Sequence, residues 1–383
     1  MKEVRLGIVG VGNMGGAHAR SILDGKIRGL SLAALCDLVP EKMAPFQQVR
    51  HFATSGEMIR SGEVDAVLIA TPHYDHTTIG IDALENGLHV MVEKPISVHK
   101  ADAVALVAAH RRPEQVFAAM FNQRTNRGYL KMRDLIRSGE LGEIRRINWI
   151  VTDWFRSAIY YSSGAWRATW AGEGGGVLMN QCPHNLDMLQ WLFGMPSKVR
   201  AFCRFGQYHD IEVEDEVTAW MEFPNGATGI FITSTGEAPG TNRMEVTVER
   251  GRLVFQNGAI HLERNEVPMS EYGRTTDQLF GRPETWDVRI PISGQSGGHN
   301  EVLQNFADAI LEGKPLIAPA AEGLNSVELA NAMLLSTFRD RTVELPMDAD
   351  EYAGELEQRI QSSVFKKKVV DVSADDFARS FQA

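Results

Sequence analysis

Val4-Arg5-Leu6-Gly7-Ile8-Val9-Gly10-Val11-Gly12-Asn13-Met14-Gly15 is the stretch that decides the fold. A short apolar run ends in Gly-x-Gly-x-x-Gly, and helical spacing over residues 13–23 follows at once. The first glycine allows a tight turn, the second lets a pyrophosphate approach the backbone, and the third permits close helix–strand packing. A helix start then offers unpaired N–H groups and a positive dipole end to an anion. Three glycines at these spacings also arise by chance. Their place at the first strand-to-helix joint is what makes the stretch a dinucleotide turn.

Working outward, short runs rich in Val, Ile, Leu and Ala at 5–10, 32–36, 66–70, 89–92 and 116–119 read as strands. Helical patterns at 13–23, 40–49, 76–86 and 98–111 separate them. Strands apolar on both faces that alternate with helices predict a parallel, doubly wound α/β sheet. Asp37 ends the second strand, where a carboxylate can accept both ribose hydroxyls of NAD; Leu38, Val39 and Pro40 follow it rather than an arginine suited to a 2′-phosphate. The spacing therefore favours NAD over NADP.

After Arg124 the texture changes. A helix at 129–138, a long β run at 143–154 and a helix at 184–193 lead into alternating runs over 198–290. Pro224-Asn225-Gly226 and Gln256-Asn257-Gly258 read as hairpin turns in a mainly antiparallel sheet, and helices at 299–312 and 321–339 close the α+β unit. The predicted organisation is a dinucleotide-binding domain over 1–124, a substrate and oligomerisation domain over 125–345, and a charged extension or subunit arm over 346–383.

Composition narrows the function. At 383 residues the chain suits two domains, and 44% hydrophobic with 23% charged residues is ordinary for a globular protein. A net charge of −10 argues against a nucleic-acid partner. Cys36, Cys182 and Cys203 are odd in number and far apart, which suits neither a disulfide framework nor a zinc site. No stretch reaches about 18 unbroken apolar residues and no signal-like segment opens the chain, so a reduced cytoplasmic enzyme without membrane spans is the expectation.

Thr71-Pro72-His73-Tyr74-Asp75-His76 and Glu93-Lys94-Pro95 close the third and fourth strands, facing the crevice where open parallel sheets bind ligands. A lysine held between apolar strands and a cationic nicotinamide has its ammonium disfavoured, which suits proton exchange; from spacing alone Lys94 reads equally as a surface loop residue. Gly174-Gly175-Gly176 lets backbone pass close to something bulky. Asn180, His184 and Asp187 then fall at separations that can share one helical face, with His184 placed for proton transfer and Asp187 to fix its tautomer, unless His184 is simply a hydrogen-bonded core residue. Cys182 beside Pro183 reads as packing rather than a nucleophile, and His73, His76 and His184 lack a matched ligand set for zinc. From Trp154 to Trp170 the chain is dense in aromatics and arginines, a composition suited either to carbohydrate or to plain core packing.

The order Gly-x-Gly-x-x-Gly, Thr-Pro-x-x-x-His, Glu-Lys-Pro, Trp-Arg and Gly-Gly-Gly…His-x-x-Asp resembles the glucose–fructose oxidoreductase / inositol dehydrogenase / rhizopine-catabolism (Gfo/Idh/MocA) family over residues 4–345. The resemblance implies a Rossmann domain followed by an open-sheet α+β domain, homodimers or homotetramers, and hydride exchange between NAD and a sugar, glycoside or cyclitol carbon. It implies Gly10, Gly12, Asn13, Met14 and Gly15 at the pyrophosphate and Asp37 at the ribose. Thr71, Pro72, His76, Glu93, Lys94 and Asn122 would line the path to the nicotinamide, and Trp166-Arg167 would touch cofactor or substrate. Lys94 and His184 match the catalytic pair, with Asn180 as the third catalytic candidate; Arg156 and Tyr160 of the aromatic stretch are expected at the substrate on composition. Many relatives carry aspartate where Asn180 stands. An amide orients a hydroxyl but cannot take its proton. Redox-neutral glycoside cleavage through transient oxidation, and a non-catalytic sugar sensor, are the alternatives on the same fold.

Overall fold

The computed structural model describes residues 3–370. Six strands form the first sheet: β1 Val4–Val9, β2 Leu30–Cys36, β3 Arg50–Phe52, β4 Ala66–Ile69, β5 His89–Val92 and β6 Phe117–Ala119. Every pair is parallel and the order is β3-β2-β1-β4-β5-β6, so the winding reverses between β1 and β4. β4 is buried at each position because both of its faces are covered, which is why the sequence shows continuous rather than alternating apolar residues. The doubly wound sheet stands as expected, and its crevice lies at the carboxyl strand ends beside the reversal.

Residues 40–49 depart from expectation. Only Pro40–Met43 is α-helical, followed by a short turn at Ala44–Phe46, then β3 and a helix Ser55–Arg60. β3 is three residues long with Arg50 and His51 exposed, too short and polar to show a period. The helix after it had a legible start, since Thr54 and Glu57 form a reciprocal capping box. The next helix begins at His73, three residues earlier than read, and runs to Glu85.

Nine strands form the second sheet: β7 Ile144–Val151, β8 Lys198–Phe205, β9 Glu214–Glu222, β10 Thr228–Ser234, β11 Asn242–Val248, β12 Gly251–Gln256, β13 Ala259–Asn265, β14 Thr285–Ile290 and β15 Val343–Glu344. Their order is β14-β13-β12-β11-β7-β10-β9-β8-β15. All neighbours are antiparallel except β7 and β10, the central pair, which run parallel. Asn257 and Gly258, both at positive φ, turn β12 into β13 as their dipeptide predicts. Trp149, Met221 and Phe231 on the inner face share a core with Leu189 of the helix Pro183–Phe193.

Two closing helices do not stay with the second sheet. In Gly298–Glu312, the residues Val302, Leu303, Phe306 and Ala307 join Leu6, Ile8 and Leu35 in the core of the first. Ala320–Phe338 spans both units, with Val327 packed among Val92 and Phe121 and Leu335 among the second sheet's residues. Periodicity reveals an apolar stripe, not the sheet it will meet. Nor is the region after 345 wholly an arm. A helix Ala349–Ser362 buries Tyr352 and Leu356 in the second core, and Lys100 donates to Glu328 Oε1 at 2.7 Å and to the Met347 carbonyl at 2.6 Å. The rest of the expected extension, residues 371–383, lies outside the described residues. Among the described residues, no helix is long and apolar enough to cross a membrane.

Candidate active site

At the cofactor edge the glycine turn is built as its spacing requires. Gly10 stands at φ +88°, and a side chain there would meet the Ala70 carbonyl at 2.6 Å. A Cβ on Gly15 would fall 1.8 Å from the Gly10 carbonyl, so only glycine lets the helix Asn13–Leu23 sit this close to β1. Gly12 is different. A Cβ there would enter open space, the approach a pyrophosphate needs, and Gly12 and Asn13 are exposed at the helix start. Asp37 Oδ2 accepts the Val11 N–H at 2.7 Å and Oδ1 the Val39 N–H at 2.9 Å, holding its carboxylate at the mouth of the turn. Lys42 reaches it, with Nζ 3.5 Å from Oδ1, closer than sequence spacing suggested.

Further along, a cleft of about 350 Å³ is lined by Met14, His18, Gly298 and His299. Glu93 lies buried, with Oε1 2.7 Å from His18 Nε2 and Oε2 accepting the Lys94 N–H at 3.2 Å. Burial alone would raise its pKa, but the hydrogen bond and charge of His18, with His299 and Lys94, bring it down to about 2. Asn122 Nδ2 lies 3.3 Å from His299 Nδ1. Thr71 Oγ1, Asn122 Oδ1 and His184 Nδ1 are buried without a partner among the described residues. Orphaned polar atoms of this kind, with the open face of Gly12, fit a polar dinucleotide.

The other side of the crevice is a side-chain network. Lys94 Nζ donates to the Asn180 carbonyl at 2.7 Å. Burial lowers the Lys94 pKa; Glu93 and Glu173 oppose that, while Arg167 and Arg156 add to it. Burial, and then the Lys94 charge, push His184 well below the usual imidazole range, so it is neutral at pH 7; its ring meets Phe121 edge-on at 6.2 Å. Tyr160 donates to Asn180 Oδ1 at 3.1 Å and accepts from Arg167 at 2.8 Å and Gln181 at 3.0 Å. Arg156 lies over the rings of Trp154 and Tyr160, and Trp166 packs edge-on against His73 with 5.6 Å between ring centres.

Two expectations are corrected here. Asn180 does not share the helix of His184 and Asp187, because that helix starts at Pro183 and Asn180 sits in the turn before it. Asp187 does not orient His184. It is fully buried and accepts two bonds from Arg124, at 2.8 and 2.6 Å, plus one from Gln190 at 3.0 Å. A guanidinium 63 residues away in sequence is the stronger, bidentate partner. His76 is buried, with its ring nitrogens 2.8 Å from the Pro95 carbonyl and 2.9 Å from that of Thr71, between two strand-end turns. Pro72 stands exposed at the start of the same helix.

Three groups escaped the sequence reading. Glu214 is fully buried; its carboxylate accepts the N–H groups of Gly176 at 2.8 Å and Leu178 at 2.9 Å, shaping the triple-glycine turn, and burial raises its pKa to about 7. An acidic pair, Glu214-Asp215, opening an apolar strand pattern was the available signal. Glu173 is 1% exposed and bonds to Asn180 and Ala168. Lys367 reaches back from the tail to the Arg167 carbonyl, and burial lowers its pKa to about 8; no local pattern marks it.

A glycine turn at a strand-to-helix joint, a carboxylate at its mouth and a half-buried lysine beside a neutral histidine fit one class, an NAD-binding oxidoreductase. Residues 4–121 match the oxidoreductase-family model for an NAD-binding Rossmann fold, and residues 129–254 match the GFO/IDH/MocA C-terminal domain. Together the matches cover more than half of the sequence, and the chain belongs to the GFO/IDH/MocA oxidoreductase family, with NAD as its cofactor. It is 30% identical to the rhizopine catabolism protein MocA of Rhizobium meliloti, over 51% of this chain and 58% of that protein. It is 24% identical to levoglucosan dehydrogenase of Pseudarthrobacter phenanthrenivorans, over 90% of this chain and 99% of that one. Among solved structures, the WlbA dehydrogenase of Chromobacterium violaceum in complex with NADH and UDP-GlcNAcA superposes with a TM-score of 0.78 at 27% identity, covering 91% of this chain and 97% of that one.

Proposed function

We propose that the protein is an NAD-dependent dehydrogenase acting on a hydroxyl carbon of a sugar, glycoside or cyclitol. The observation that carries this reading is Lys94, fixed by the Asn180 carbonyl, half-buried, and electrostatically coupled to neutral His184 where the dinucleotide crevice opens. NAD, when bound, supplies the acceptor for the hydride leaving the substrate carbon. Lys94 takes the hydroxyl proton, because burial brings its neutral amine within reach while His184 is too weakly basic. His184 Nδ1 and the Tyr160 hydroxyl orient the substrate. Trp166 and Tyr160 offer ring faces to sugar C–H groups, and Arg156 and Arg167 offer donors to its oxygens. The relatives that act on sugars support the substrate class.

The open face of the second sheet carries Ile150, Phe202, Trp220, Ile230 and Ile232, and we propose that copies associate there as homodimers or homotetramers, which light scattering would test by mass. The functional test is NADH formation with glucosides, inositols and free aldoses as substrates. At least one should reduce NAD stoichiometrically, and Lys94→Ala should cut turnover by roughly 10²–10⁴ while NAD affinity stays within a few fold. Glycoside cleavage without accumulation of NADH, or full turnover in Lys94→Ala, would overturn the reading.

A further inference from the structure

Position 180 holds an amide where the resemblance expects a carboxylate, yet a carboxylate does reach this point. Glu173 comes from the turn ahead of the three glycines, and its Oε1 accepts the Asn180 side-chain N–H. Its Oε2 accepts the Ala168 N–H at 2.6 Å, and its own carbonyl faces His73 Nδ1 at 3.3 Å. Both carboxylate oxygens therefore accept, which the ionised form does without conflict. Burial leaves the Glu173 pKa raised above the usual carboxylate value, with Arg167, the Ala168 N–H, the Asn180 amide and Lys94 offsetting part of that rise.

Two consequences follow from this placement. With Nδ2 held by Glu173, the Asn180 amide has one orientation, so Oδ1 must face Tyr160 and Gln181 and the backbone carbonyl is left to Lys94. Ala168 stands at φ +54°, a left-handed conformation costly for a residue with a Cβ, and the bond to Glu173 holds it there directly after Arg167. We propose that Glu173 is a positioning residue for proton transfer at Lys94: it supplies from seven residues upstream the carboxylate that position 180 lacks, fixing Asn180 and setting the charge that Lys94 experiences. The proposal rests on Lys94 as the base.

The groups that face Lys94 include Glu93 and Glu173 on the acidic side, Arg156 and Arg167 on the basic side, the imidazoles of His73, His184 and His299, and the Cys182 thiol; Lys367 faces Glu173 as well. Removing the Glu173 charge leaves two guanidinium groups opposed at Lys94 by Glu93 alone. The Lys94 pKa should then fall by about one unit or more.

Amine labelling of Lys94 across a pH series, read by peptide mass spectrometry on the full chain, tests this without any substrate, so its outcome is separable from that of the dehydrogenase reading. In Glu173→Gln the labelling midpoint of Lys94 should move about one pH unit lower, Glu173→Asp should recover part of the shift, and exposed Lys26 should be unmoved. The exchange Glu173→Gln with Asn180→Asp returns the carboxylate to position 180 and should restore the midpoint. In steady state, the rising limb of kcat against pH should follow the same order. An unmoved midpoint in Glu173→Gln overturns the proposal, as does loss of the fold in both the single and exchanged variants, which would make the role of Glu173 structural.

Discussion

The two walls of the crevice are built by different means. On the cofactor wall the working parts are backbone: a glycine turn within residues 10–15, a strand end, and one carboxylate whose bonds run to the backbone N–H groups of Val11 and Val39. On the substrate wall they are side chains gathered from Lys94, Tyr160, Arg167, Glu173 and Asn180, with partners up to 86 residues apart. A wall made of local backbone leaves a spacing in the sequence. A wall made of distant side chains leaves only residue types.

The sharpest way to break that contrast is Asp187, a carboxylate three residues from His184 that serves the fold. Asp187→Asn leaves Arg124 buried with half of its charge pairing gone and should cost about 3–5 kcal/mol in chemical denaturation. The pH dependence of turnover should keep its shape. A displaced profile at unchanged stability would return Asp187 to the active site.

Next in size are two glycines of the cofactor wall that look alike in sequence. Gly12→Ala should keep its melting temperature and lose about tenfold or more in NADH affinity by fluorescence titration, since its Cβ occupies only the space a phosphate needs. Gly15→Ala should lose stability as well, because its Cβ overlaps the Gly10 carbonyl. Equal melting curves for the two would show that the turn is softer than its spacing implies.

The smallest effect concerns the ribose. Asp37 should make NAD preferred over NADP by about tenfold in kcat/KM, a modest figure because Lys42 stands 3.5 Å away and offsets part of the repulsion. Asp37→Ser with Leu38→Arg should narrow or reverse that ratio, read from paired NAD and NADP kinetics. An unchanged ratio would place cofactor choice elsewhere on this wall.

Legibility followed the same division. The parallel sheet, the glycine turn and Asp37 could be read because strand–turn–helix order is local, and so could the Asn257-Gly258 hairpin, whose φ values the dipeptide dictates. Lys94 and His184 were singled out by residue type and motif order, and the fold brings both to the crevice. Glu173, Glu214 and Lys367 were not, because each acts through a bond to a turn that only the folded chain brings near. Asp187 was misassigned for the converse reason: helical spacing put it within a turn of His184, while a buried guanidinium from residue 124 offered more. His76 sits where its motif predicts, with its ring between the Pro95 and Thr71 carbonyls, to one of which its single N–H donates.

The helix Gly298–Glu312 has a consequence for how the protein is made. Its Val302, Leu303 and Phe306 cover part of the first sheet, whose opening strand ends at Val9. A ribosome adding roughly 5–20 residues per second needs about a quarter of a minute to a minute to travel between them. Throughout that interval Leu6, Ile8 and Leu35 lack their final neighbours, and the nascent chain carries a sticky, half-finished nucleotide-binding unit. Emergence of Gly298–Glu312, rather than emergence of the amino-terminal third, is the event that allows this core to close.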